Sequence, residues 1–228
     1  MHEKYDVFNG GIELLIKDLE QLKRDLVTIN GGSLVDKDGN IIESYTLPIE
    51  IVDRLIVECE KKQIAIAFKC KEDIVVYTYY NQYVEGYVGF DSPLAKLLID
   101  NTDKKDYHLT HGLPLGAFII GNHETIKNMQ KDFPELEFAA SHRVGYDVFM
   151  SNVTKGTTVE SLLKKSGLTW ENVMSFGDAG NDIDMIQKAS IGVAMGNAKD
   201  YVKNSADYVT DTVDNDGVVK ALEHFKII

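Results

Sequence analysis

The chain has 228 residues, 44% of them hydrophobic, with 24 Lys and Arg against 36 Asp and Glu and a formal charge of −12 at pH 7. That length and apolar share suit one large or two small globular domains with real cores, and they exclude a disordered chain. The acidic balance disfavours nucleic acid or an anionic membrane as a partner, because both need a basic footprint.

Cys59 and Cys70 sit in apolar periodic stretches without a Cys-x-x-Cys spacing. They are expected to be reduced, buried thiols. No run approaches the ~20 apolar residues of a membrane span. The first residues lack the apolar core of a secretory signal. The protein is therefore expected to be soluble and cytoplasmic.

In chain order, Ile12, Leu15, Ile16, Leu19 and Leu22 fall at helical spacing and predict a helix over 11–25. Residues 26–31, LVTING, read as a short buried strand ending in Asn-Gly-Gly. Residues 33–47 hold two strand-like runs about Asp36-Lys37-Asp38-Gly39, a hairpin signal. A helix is predicted after Pro48. Two runs of period two follow, 64–70 and 74–80, across a charged turn. The tyrosine-rich stretch 75–87 reads as strand and surface, and a helix is expected around 92–101. Then come a strand at 116–121, a helix at 123–134 and a paired strand region at 136–150. This mixture reads as α+β.

From residue 155 strand and helix alternate strictly. A helix closed by Gly167 precedes an apolar strand at 172–177. A helix start at 181–190, a strand at 191–196, a helix at 198–206, a short strand at 208–210 and a last helix at 217–225 follow. Such alternation means a parallel, doubly wound sheet, whose ligands bind beyond the carboxyl ends of the strands.

Asp178 follows one of those strands, and Asn181 and Asp182 come a short turn later at a helix start. A helix N-terminus offers free N–H groups and a positive dipole, which suit phosphate. Carboxylates with an amide there suit a hard divalent cation that keeps its waters, such as Mg²⁺. Lys155, just before the preceding helix, could neutralise a phosphate as a point charge. Each residue alone has a plainer reading, as a helix cap or a solvated lysine. The combination with GVAMGNA at 192–198 outweighs it.

Taken together, FGDAGNDIDMI, GVAMGNA and the ADYVT and DGV runs resemble the C-terminal signature of the haloacid dehalogenase superfamily, Cof-like subgroup. VTKG at 153–156 matches the family's lysine motif, and VTINGGSLV at 27–35 the segment before its cap. The resemblance runs from about residue 10 onward and is most specific over 153–217. It implies an α/β fold: a Rossmann-like parallel-sheet core, residues 1–47 and 151–228, with an inserted α+β cap domain at 48–150. It implies a Mg²⁺-dependent phosphatase of small phosphorylated metabolites, with sugar phosphates the expected class, working as monomer or homodimer. Lys155 would hold the transferring phosphate and the nucleophile's charge, and Asp178 would be the direct Mg²⁺ ligand. Asp182 would serve the metal from the second shell or through water, and Asn181 would touch the phosphate. Asn30 and Asn197 would line the site.

The family's reaction also needs an Asp-x-Asp-Gly motif at the end of a central first strand. Its first Asp attacks phosphorus, and its second protonates the leaving group and activates water. No such motif precedes residue 10, and Asn9 stands where the family has a phosphate-binding Ser or Thr. Asp36-Lys37-Asp38-Gly39 has the letters, but between two strand-like runs it reads as a hairpin turn. Two further readings stay open: a truncated, catalytically inactive remnant that binds phosphate or Mg²⁺, and a phosphotransfer or mutase relative. In the cap, His108, His111, His142 and Arg143 are candidates to face a substrate, with solvated or capping roles as the plainer alternative.

Overall fold

The structure, a computed structural model, describes residues 14–16, 26–36, 40–142 and 145–228. In chain order its elements are β1 Leu14–Ile16, β2 Leu26–Thr28, β3 Ser33–Val35, β4 Ile41–Ser44, α1 Ile49–Lys61, β5 Ala65–Lys69, β6 Ile74–Thr78, α2 Tyr80–Tyr87, β7 Leu98–Asp100 and α3 Tyr107–His111. Then follow β8 Gly116–Ile120, α4 His123–Gln130, β9 Leu136–His142, β10 Gly145–Met150, α5 Lys155–Ser166, β11 Val173–Gly177, α6 Ile183–Lys188, β12 Ile191–Ala194, α7 Asp200–Lys203, β13 Tyr208–Val209 and α8 Gly217–His224. They fall into two compact units, Met1–Glu43 with Thr154–Ile228, and Ser44–Val153.

In the first unit β11, β12 and β13 run parallel, side by side. Every residue of β11 is buried. Val173 packs against Leu162 and Leu163 of α5 and Met185 of α6. Met174 and Phe176 pack against Ala221 and Leu222 of α8. A continuous apolar run split this way by period two is the mark of a strand covered on both faces.

β1 pairs with β11 antiparallel, Leu14 opposite Ser175. This corrects the helix expected over 11–25 at residues 14–16; the rest of that span lies outside the described residues. An unpaired strand edge demands backbone partners, and this outweighs a helix preference worth a fraction of a kcal/mol per residue. A separate sheet has the order β2-β3-β4. Between its last two strands the Asp36 N–H donates to the Asn40 carbonyl at 2.9 Å, and the Asn40 N–H to Asp36 Oδ1 at 2.8 Å. Asp36 thus sits in a hairpin connection, whose residues 37–39 lie outside those described.

The second unit is a six-stranded sheet of order β7-β6-β5-β8-β10-β9. Its pairs are antiparallel except β6 with β7. Leu55 and Cys59 of α1 and Met129 of α4 cover one face, against Ile66, Phe68, Tyr77 and Ile119. Tyr83 and Val84 of α2 cover the other, over Ala65, Ala67 and Phe118. The tyrosine-rich stretch therefore leaves the sheet: the chain turns at Tyr79, φ 51°, into α2. The helix expected around 92–101 is a short 3-10 turn, Pro93–Leu97, capped by Ser92 and followed by β7. The open edge of β6 takes Leu98–Asp100 as a partner, and an edge is again what decides.

Tyr77 accepts the backbone N–H of His108 at 2.8 Å and meets its Nδ1 at 3.0 Å, both deep in this unit. Cys59 and Cys70 are buried and unpaired. Burial pushes the Cys70 thiol up to about 11 and that of Cys59 higher still, so neither supplies a thiolate nucleophile. Among the described residues no helix is long and apolar enough to cross a membrane.

Tyr77→Phe keeps the ring packing but strips the buried His108 N–H of its acceptor. The expected loss is about 1–3 kcal/mol in urea unfolding at neutral pH.

Candidate active site

The site starts at the first turn of α5. Thr154 Oγ1 accepts the Thr157 N–H at 3.1 Å, and Thr157 Oγ1 accepts the Thr154 N–H at 2.9 Å. This reciprocal cap satisfies two donors that a helix start otherwise leaves bare. It also puts Lys155 at the first helical position.

Lys155 is 4% exposed and Asp182 5%. Lys155 Nζ donates to Asp182 Oδ1 at 2.6 Å. Asp182 Oδ2 accepts the backbone N–H groups of Asp178 and Ala179, each at 3.0 Å. Protein donors thus already occupy both oxygens of Asp182. Asp182 is thereby tied to Lys155 and to the turn after β11.

Asp178 stands exposed just past β11. Its Oδ2 accepts from Asn197 Nδ2 at 2.9 Å. Asn197 follows β12, and the loop is held because the Met195 N–H donates to the Gly177 carbonyl at 2.9 Å. The carboxyl ends of two parallel strands therefore bring these two residues together.

Asn30 is buried at φ 53°, ψ 32°, a left-handed conformation that Asn tolerates. Its Oδ1 accepts from Asn181 Nδ2 at 2.8 Å. Among the described residues Asn181 Oδ1 is buried without a partner. Gly31 follows at φ 100°, and a Cβ there would lie 2.2 Å from the Thr154 carbonyl oxygen. Only glycine lets the chain pass so close to the start of α5, where Thr158 Oγ1 donates to the Gly31 carbonyl at 2.7 Å.

The six residues singled out in the sequence thus form three side-chain pairs: Lys155 with Asp182, Asp178 with Asn197 and Asn30 with Asn181. Sequence reasoning passed over Asp184, whose Oδ2 accepts from the Thr154 hydroxyl and, at 3.2 Å, from the Gly156 N–H. Its signal is the second Asp of GNDID, two residues past the first. Of the cap candidates, His108 is buried against Tyr77, and His111 is exposed and stacked on Tyr107 at 3.8 Å between ring centroids. The side chains of His142 and Arg143 lie outside the described residues.

Among the described residues no three of His, Cys, Asp and Glu converge as a metal cage. A cage is not what Mg²⁺ needs, since it takes one or two carboxylates and completes its shell with water and substrate phosphate. The exposed Asp178 carboxylate fits that demand as a single hard-oxygen ligand. Just past β13 a further carboxylate, Asp211, is bound instead to Lys220 at 2.6 Å and to the Thr212 N–H at 2.8 Å. Lys220 first, then the Thr212 N–H and the Asn215 side-chain amide, hold the Asp211 carboxyl down to about 2.

The sequence profile of the haloacid dehalogenase-like hydrolases matches residues 11–222. The chain belongs to that family. Among curated proteins, the 5-amino-6-(5-phospho-D-ribitylamino)uracil phosphatase YcsE of Bacillus subtilis is 44% identical over 102 residues, 45% of this chain and 41% of that enzyme. A putative phosphatase of Haemophilus influenzae is 28% identical over 203 residues, 87% of this chain and 74% of its own length. The chain thus spans under half of the first relative and about three quarters of the second. Among solved structures, the phosphatase BT1666 from Bacteroides thetaiotaomicron matches with a TM-score of 0.77 and 27% identity, over 93% of this chain and 79% of that one. BT4131, described as a subclass IIB sugar phosphatase, matches at 0.75 and 28%, over 89% and 75%.

Asp182→Ala leaves the Lys155 ammonium buried without its counter-charge, which is expected to cost about 3–5 kcal/mol in chemical denaturation. The Asp211 carboxyl titrates below its ordinary value of 3.8. Its contribution to stability is therefore full above that value and lost as the pH falls towards about 2. Lys220→Met should move the Asp211 midpoint upward, read from the carboxyl carbon by NMR.

Proposed function

We propose that this chain hydrolyses phosphate monoesters of small metabolites with Mg²⁺, sugar phosphates being the expected class. The observation that carries this reading is the buried Lys155 ammonium fixed by Asp182 beside the exposed Asp178. An ammonium has three donors. Among the described residues Asp182 takes one of them, which leaves two for an anion. Lys155 then neutralises the phosphoryl oxygens, and Asn181 and Asn30 border the same place. Asp178, oriented by Asn197, holds the cation, which when bound offsets charge on the phosphoryl group. The second unit, Ser44–Val153, acts in this reading as the cap that selects the leaving group. The family membership and the phosphatases among the relatives support it.

A second reading is binding of phosphate or Mg²⁺ without turnover. It is favoured by one observation: among the described residues no Asp-x-Asp pair at a strand end accompanies Lys155, and Asp36 is engaged with Asn40 in its hairpin.

The deciding experiment is hydrolysis of p-nitrophenyl phosphate by the 228-residue chain with and without Mg²⁺. Mg²⁺-dependent turnover that falls roughly 100-fold or more in Asp178→Asn is the expected result. Asp36→Ala should leave the rate unchanged, and a collapse of activity there would move the nucleophile into the hairpin. Thermal stabilisation by Mg²⁺ and orthophosphate with no product released would establish the second reading.

A further inference from the structure

We propose that Asp184 is a positioning residue for Lys155, a clamp on the first turn of α5 that sets where the lysine ammonium stands. The inference rests on the reading of Lys155 as the phosphate-holding cation.

Proton bookkeeping at the helix start shows the clamp. The Thr157 N–H donates to Thr154 Oγ1, so the single hydroxyl proton of Thr154 is free to go elsewhere, and it goes to Asp184 Oδ2. The same oxygen accepts the Gly156 N–H at 3.2 Å. Residues 154 and 156, on either side of Lys155, are thus tied to one carboxylate oxygen. Gly156 belongs to the device: a Cβ there would lie 2.4 Å from Asp184 Oδ2, so any side chain would push the carboxylate off.

Asp182 and Asp184 divide the work by register. Asp182 takes the tip of the Lys155 side chain, and Asp184 takes the backbone and cap that flank its Cα. Among the described residues Asp184 has no cationic partner; neutral donors and the positive end of α5 meet its charge. One consequence concerns recognition. Of the donors that an open helix start would offer to a phosphate, the Gly156 and Thr157 N–H groups are already used by Asp184 and Thr154. The phosphate is left to the free donors of Lys155, so the placing of that one ammonium matters more than in an open helix start.

The test reads Lys155 directly, by ¹⁵N NMR of the lysine NH₃⁺ groups in the full chain, with orthophosphate binding measured alongside by calorimetry. Buried and paired, the Lys155 group should exchange slowly in the wild type. In Asp184→Asn, which keeps the size and removes the charge, exchange should be about tenfold faster or more through local opening of the turn. Phosphate affinity should fall with it. Thr154→Ser keeps the hydroxyl and should behave as wild type, whereas Thr154→Val should shift in the direction of Asp184→Asn. Tyr77→Phe, a destabilised control in the other unit, should leave Lys155 exchange unchanged.

A folded Asp184→Asn chain with wild-type Lys155 exchange overturns the proposal. Should that variant fail to fold, wild-type exchange in folded Thr154→Val overturns it equally. If the wild type binds no phosphate, the phosphatase reading falls while the NMR comparison still decides the clamp.

Discussion

The buried ion pair of Lys155 and Asp182 is the constraint on which the rest of the first unit depends. Removing two charges from water costs several kcal/mol per ion, repaid only where the geometry is good and the remaining polar atoms are satisfied. Here Asp182 meets the condition with both oxygens, one on the lysine and one on two backbone N–H groups. Those bonds fold the turn after β11 and pin α5 to it. The Lys155 ammonium is thereby held in a largely dry place with its counter-charge beside it.

The sheet explains why the pair stands where it does. β11 is covered by α5 and α6 on one face and α8 on the other, so its side chains are spent on the core and its polar chemistry begins only where the strand ends. Asp178 and Asn197 arise at the ends of neighbouring parallel strands and meet there. From another direction the Asn30–Gly31 turn reaches the start of α5. It can do so because Asn30 accepts a left-handed backbone and Gly31 carries no Cβ. The second unit follows a different logic. Its sheet is buried on both faces by helices, and of its candidate histidines His108 is part of that packing, held on Tyr77, while the exposed His111 stacks on Tyr107.

Much of the site was legible because spacing and chemistry coincide in it. A strand running into Gly177-Asp178, then Asn181 and Asp182 at a helix start, carries its meaning locally, and Lys155 sits one strand–helix repeat earlier. The errors have one physical origin. Leu14–Ile16 reads as helix by spacing yet pairs as a strand, and Leu98–Asp100 sits in a span read as helix yet does the same. In both places a neighbouring strand edge supplied backbone partners that lie far off in sequence. Tyr83 was taken for surface because nothing local shows that the chain leaves the sheet at Tyr79.

The sequence by itself determined the alternating strand–helix order of the last seventy or so residues, the hard-oxygen and ammonium chemistry at the strand ends, and the family. The first two follow from periodicity and from the few side chains able to do such chemistry, the family from the resemblance of its motifs. Only the tertiary structure decided how the carboxylates divide. Asp182 is filled by protein donors, Asp178 stands open, and Asp184 braces the helix start. All three are carboxylates within one short stretch, alike as letters. What separates them is which donors the folded chain brings to each oxygen: Lys155 to Asp182, Asn197 to Asp178, and Thr154 with Gly156 to Asp184.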